Sequence, residues 1–209
     1  MSEQANESGA ENAAAPDDLN VVEALRRGDE DAFVRLVDQY HASLRRVARV
    51  YISNRAVADE VVQDAWLGVI QGIWAFAGRS SLKTWIFRIL INHAKTRAAR
   101  ERRTVPFAGF DVSEVDAPEA PDHWTHPPPD VGASPERGLL IREAREQLQK
   151  AIDALPPNQR LVLILRDVEG CSTEEVCNAL GIQETNMRVM LHRARTRLRA
   201  TLEPYLEGA

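Results

Sequence analysis

Cationic side chains crowd the segment Gln183–Arg199, and their spacing limits what they can do. Arg188, His192, Arg195 and Arg199 recur three and four positions apart, so a helix gathers them into one stripe, with Arg193 and Arg197 beside it. Met187, Met190, Leu191, Ala194 and Leu198 form a second, apolar stripe on the same helix. A guanidinium fork binds the edge of guanine through two hydrogen bonds and also grips phosphate. A helix that buries one face and offers such forks on the other fits a DNA major groove. The same pattern also describes a helical hairpin with a solvated basic face.

A second basic element spans Leu82–Arg103. Trp85, Ile86, Ile89, Leu90 and His93 or Ala94 share one face, while Lys83, Arg88, Asn92, Lys95, Arg97, Arg100, Arg102 and Arg103 supply polar and cationic groups. Aromatic rings beside cations suit single-stranded DNA, whose bases can be splayed and stacked. The bland alternative is a core tryptophan on a helix with a solvated charged face. Asp59, Glu60, Gln63 and Asp64 make a polar band on another helix, open to a docking role or to plain solvation. Cys171 and Cys177 do not have the spacing of a known zinc module, with or without His192, and read as small core fillers. No glycine-rich phosphate loop, nucleophile elbow or paired catalytic carboxylate is legible, so the residues predict neither a metal nor a cofactor nor an enzyme.

These groups need helices to position them. Val21, Val22, Ala24 and Leu25 predict a short helix ending near Gly28. Asp29 or Asp31 can cap the next, which carries Phe33, Leu36, Val37, Tyr40, Leu44, Val47 and Ala48 on one face. Asn54 and Arg55 break it. A third helix is predicted over Ala58–Ile73, with Val61, Val62, Ala65, Trp66, Val69 and Ile70 inward. The loop Phe76–Ser81 follows, and Ser81 is the expected cap of a helix from Leu82 to about Arg102. After a long interruption, Arg137–Leu155 and Asn158–Val168 predict two more helices separated by Pro156 and Pro157. Ser172 and Glu175 fit a capping box, Gly181 supplies a sharp turn, and the basic helix comes last. The fold expected is all-α: two small helical domains joined by a flexible linker.

Charge and proline follow the same division. The 209-residue chain has a net charge of −5, yet no Lys or Arg precedes Arg26 and none lies between Arg103 and Arg137. Local basic patches, not the total, set phosphate affinity. Residues 1–18 read as a disordered acidic tail. Residues 104–136 hold seven of the eleven prolines and several acids, and read as a linker in which Phe110 and Trp124 are candidate docking points. The two cysteines point to a reducing compartment. No basic start with an apolar core opens the chain, and no run approaches about 18 apolar residues, so a soluble, cytoplasmic protein without membrane insertion is expected.

Taken in order, these pieces resemble an extracytoplasmic-function sigma factor of bacterial RNA polymerase, within the sigma-70 family. The matching residues of the first half are Ala58–Asp64, Phe76–Gly78, Thr84–Ile89 and Asn92. Those of the second half are Leu155, Pro156, Gln159, Arg160, Leu165, Arg166, Val168–Gly170, Ser172, Glu174, Glu175, Leu180–Ile182 and Leu191–Arg195. The resemblance implies a region-two helical bundle over 19–103 and a region-four helix-turn-helix domain over 137–205. It implies that Asp59, Glu60, Gln63 and Asp64 dock on the clamp helices of the largest subunit of core RNA polymerase. Phe76, Arg79, Ser80, Trp85, Arg88, Asn92 and Lys95 would recognise and melt the minus-ten element of promoter DNA. Arg188, Val189, His192, Arg193 and Arg195 would contact the minus-thirty-five element. The linker would thread near the polymerase active-site cleft, where its acids would imitate nucleic acid. An anti-sigma factor, often membrane-bound in this family, is the further partner implied. Gln183, Asn186, Met187 and Met190 depart from the common pattern, which leaves the choice of promoter bases open. Two rivals stand beside this reading. One is a helix-turn-helix regulator that binds duplex DNA unaided. The other is an enzyme or metal-dependent sensor using Cys171, Cys177 and His192.

Overall fold

The computed structural model describes residues 14–104 and 145–206, and all its regular elements there are helical. The expectations for residues 1–13, for the proline-rich segment with Phe110 and Trp124, and for 137–144 lie outside the described residues.

Helix α1 (Pro16–Arg26) starts earlier than the sequence pattern predicts. Pro16 presets its first turn, and Asp17 and Asp18 set negative charge against its N-terminus. Asp17 and Asp18 therefore belong to a helix, not to the acidic tail. In α2 (Glu30–Tyr51), Asp29 is the cap, accepting from the Ala32 N–H at 2.9 Å. Asn54 accepts from the Val57 N–H at 3.2 Å and starts α3 (Arg55–Gly72) three residues before the expected Ala58. A single 3₁₀ turn, Ile73–Ala75, leads into the loop before α4 (Leu82–Thr104). Ser81 caps α4 as expected, through the Thr84 N–H at 3.2 Å.

Packing corrects two facial assignments. Ile70 is 49% exposed, because Val61, Val62, Ala65, Trp66, Val69 and Ile73 fill the inner face and Ile70 falls with Gln63, Leu67 and Trp74 on the outer one. In α4, Phe87 and Ile91 are fully buried, although they lie off the expected apolar face. The reason is that α4 packs against α2 and α3 and also against α7 of the second half.

In the second half, α5 (145–153) ends before Leu155, and Pro157 opens α6 (Pro157–Leu163) at a position where its missing N–H costs nothing. The chain then widens into a π-helical turn, Ile164–Val168, marked by the Glu169 N–H donating to the Ile164 carbonyl at 2.9 Å. Helix α7 (Thr173–Leu180) carries the complete capping box of Ser172 and Glu175. Gly181 sits at φ +68°, a left-handed conformation, and turns the chain into α8 (Glu184–Leu206). Met187, Leu191 and Ala194 are buried from α8, with Met190 and Leu198 partly so. The two halves pack together, and their buried residues form one continuous apolar cluster. No helix among the described residues is long and apolar enough to cross a membrane.

Candidate nucleic-acid interface

The loop before α4 is held open as one wall of a cleft. Three straps fix it. The Arg26 guanidinium donates to the carbonyls of Ile73 (3.2 Å) and Phe76 (2.8 Å). The Ala14 N–H donates to the Gly78 carbonyl at 3.0 Å. Asp18 accepts from the Leu82 N–H at 2.8 Å. Sequence spacing held no sign of Arg26 or Asp18 in this role, because each acts across about 50 or more residues and neither lies in a motif.

The cleft, about 560 Å³, is lined by Phe76, Arg79, Ser80, Trp85, Arg88 and Asn92, with Asn178 of α7 at its rim. Six of the seven residues expected at the minus-ten element thus share one concave surface. Phe76 is buried and meets the Trp85 ring edge-on, centroids 5.2 Å apart. Arg79, Arg88 and Asn92 are exposed. Lys95 does not line the cleft; it continues the exposed stripe of Arg88 and Asn92 one turn further along α4. An aromatic wall with guanidinium groups at the mouth can stack a base and hold its flanking phosphates.

On α8, Arg188, Val189, His192 and Arg193 are exposed on one face. Arg188 reaches back to Glu184 one turn earlier. Arg195 points elsewhere: its fork grips Asp167 of the π-helical turn at 2.6 and 3.0 Å, tying α8 to the end of α6. Arg197 donates to Gln159 at 3.2 Å and ties α8 to the first turn of α6. So the structure groups four of the five residues expected at the minus-thirty-five element and pairs the fifth, still exposed, with Asp167.

The polar band on α3 is partly engaged. Asp59 pairs with Arg45 at 2.7 Å and Glu60 with Arg97 at 3.2 Å, while Gln63 and Asp64 are exposed. The band continues into exposed Leu67, Ile70 and Trp74, the last 70% exposed. Helical spacing from Glu60 could have revealed this extension, but reading Ile70 as core hid it. Burial pushes the Cys171 thiol up to about 11, with the Lys83 ammonium pulling the other way. His192 lies on the exposed face of α8 while Cys171 is buried, and no cluster of three metal-ligating side chains occurs among the described residues.

Comparison with known proteins follows the same division. The sigma-70 region 2 family model matches residues 36–104, and the sigma-70 region 4 model matches residues 145–198. The RNA polymerase sigma-H factor of Pseudomonas aeruginosa is 30% identical over 192 residues, covering 92% of this chain and 97% of that protein. The ECF RNA polymerase sigma-E factor of Escherichia coli is 29% identical over 189 residues, covering 90% and 96%. Among solved structures, the sigma factor RpoE in complex with the anti-sigma factor NepR from Bartonella quintana superposes with a TM-score of 0.61 at 24% identity, over 82% of this chain and 96% of that one. CnrH in complex with the cytosolic domain of CnrY gives 0.58 at 21% identity, over 90% and 97%. Both share the fold.

Proposed function

The chain belongs to the extracytoplasmic-function sigma factors of the sigma-70 family, and from that membership we propose how its own residues divide the work. As an alternative sigma factor it directs promoter-specific transcription initiation and is not itself an enzyme. The first module, near 19–103 with α1 added, docks on the clamp helices of the polymerase largest subunit. Asp59, Glu60, Gln63 and Asp64 supply the polar part of that surface, and Leu67, Ile70 and Trp74 extend it with apolar area. The cleft takes an unstacked base of the minus-ten element against Phe76 and Trp85. Arg79, Ser80, Arg88 and Asn92 hold the neighbouring strand, and Lys95 follows its phosphates. The second module, near 137–205, lays α8 in the major groove at the minus-thirty-five element. There Arg188, Val189, His192 and Arg193 meet base edges. Arg195 fixes the helix that presents them. The acidic segment 104–136 spans the two.

The observation that carries this reading is the cleft: side chains of the Phe76–Ser81 loop and of α4, suited to stacking and phosphate chemistry, line one concave surface, and α8 offers a separate basic face. The protein works in the cytoplasm, where core polymerase and DNA are. An anti-sigma factor is its expected regulator, a role supported by the shared fold of relatives solved in such complexes.

Run-off transcription tests the reading directly. Core polymerase plus this protein on a library of randomised promoters is expected to select sequences with two constant blocks about 25 base pairs apart. Arg193→Ala is expected to relax the upstream block alone, and Asn92→Ala the downstream block alone. No gain in promoter-specific transcript over core polymerase would overturn it.

A further inference from the structure

Glu175 serves both halves of the molecule. Its Oε2 accepts from the Ser172 N–H at 2.8 Å, completing the cap of α7. Its Oε1 turns outward and accepts from the hydroxyls of Ser81 (2.5 Å) and Thr84 (3.0 Å), both at the start of α4. Two further contacts flank it: Lys83 donates to the Glu169 carbonyl, and Arg46 pairs with the Glu169 carboxylate at 3.0 Å. Thr84 is only 2% exposed, so its hydroxyl needs a partner, and Glu175 is one. A second is at hand, since Ser81 Oγ lies 2.9 Å from Thr84 Oγ1. When Glu175 leaves, one hydroxyl can donate to the other and water can accept from the remaining O–H, while Glu175 keeps its cap. Both the joined and the separated arrangements leave these groups bonded, which is what a two-state contact requires.

We propose that Glu175, with Ser81 and Thr84, forms a latch that holds the free protein closed, with Asn178 of α7 at the rim of the base cleft, and that the latch must open before both promoter elements are engaged. This rests on the promoter reading above. Helices α7 and α8 form one unit around Gly181, so α8 cannot leave while α7 stays on α4. The two promoter elements lie about 25 base pairs apart, on the order of 80 Å of duplex. Hydrogen bonds of 2.5 and 3.0 Å between the modules are incompatible with that separation. The free chain therefore trades part of its interdomain contact for polymerase and DNA contact. Its apparent affinity for core polymerase is lowered by the closed fraction.

The test uses the full chain with fluorophores on Ser53→Cys and Thr196→Cys in a Cys177→Ala background, all exposed or half-exposed sites outside the proposed contacts. Energy transfer is read first without polymerase or DNA, so its outcome is independent of the promoter reading. Wild type is expected at high transfer. Thr84→Val keeps the side-chain shape without the hydroxyl, and Glu175→Gln keeps a residue that serves in capping boxes. Together they are expected to shift the closed-to-open ratio about tenfold, less than the product of the single effects, because they share one bond. Glu169→Gln loosens the flanking contact without touching either helix cap, and far-UV circular dichroism verifies that every variant is folded. A low-transfer wild type, or unchanged transfer in the folded double variant, overturns the latch. Core polymerase is added next. Adding it is expected to open wild type and to capture the double variant faster by a similar factor. Equal capture rates with a demonstrably opened variant overturn the claim that opening is required. Loss of promoter-specific transcription by every form, with the transfer shift intact, refutes the promoter reading alone.

Discussion

Arg193 and Arg195 lie two positions apart on α8 and face different partners. The Arg195 fork is occupied by Asp167, whereas Arg193 is exposed on the face with Arg188 and His192. Helical spacing made the basic stripe legible but not which guanidinium groups were already committed, because Asp167 is 28 residues away in a segment whose geometry depends on a π-helical turn. The two alanine substitutions should therefore differ in kind. Arg193→Ala should cost about 1–3 kcal/mol at the base it reads and flatten discrimination there. Arg195→Ala should leave discrimination intact and lower stability by at most about 1 kcal/mol, since the pair is largely exposed. Holoenzyme binding to single-base promoter variants, beside thermal melts of the free protein, separates the two effects. Equal loss of discrimination from both would show that Arg195 releases Asp167 to reach DNA.

Caps and turns were the readable part of each element. Ser81, Asp29 and the Ser172–Glu175 box perform the roles their types suggest, because capping is a local matter of one side chain and the N–H two or three residues on. What sequence could not supply was how closely α3 and α4 approach. A Cβ built on Gly68 would stand 3.1 Å from the Ile89 side chain, and one on Gly72 would stand 3.2 Å from the Trp85 ring. These two glycines, one turn apart, let α4 lie deep against α3 and set the tilt of Trp85 beside Phe76. Gly72→Ala should push the ring, cost on the order of 1–3 kcal/mol through overpacking, and reduce minus-ten melting more than minus-thirty-five binding. Gly181→Ala meets no atom within 4 Å, so it should cost about 1 kcal/mol from its left-handed backbone alone and leave the cleft unchanged. Tryptophan emission and thermal melts of the two variants check this. A Gly72→Ala protein with native emission and melting would mean that the ring has slack.

At the scale of the molecule, two modules and a proline-rich spacer were legible from composition, but their union was not. Glu175 looked like a capping residue and nothing more, since the hydroxyls it meets lie more than 90 residues earlier. Its titration offers a reading of the closed state. Burial pushes the Glu175 carboxyl up, but the Ser81 hydroxyl, the Ser172 N–H, the Thr84 hydroxyl and the Lys83 ammonium together outweigh that and hold it below its ordinary value of 4.5. A carboxyl depressed by its partners stabilises their arrangement fully above the ordinary value and withdraws that support as pH falls through the lowered one. The groups around it are Lys83 on α4, Tyr40 on α2, Asp18 on α1, and Glu169 and Cys171 in its own module. Burial raises Tyr40 and Cys171 away from the acid range, which leaves the Glu175 carboxyl as the group whose change of charge is read there. Energy transfer between the modules should therefore stay flat from about pH 8 to about pH 5 and fall only below the ordinary carboxylate value. Glu175→Gln should begin lower and show a shallower fall, while circular dichroism stays constant over the window that is interpreted. Opening centred near neutral pH would assign the closed state to some group other than this carboxylate.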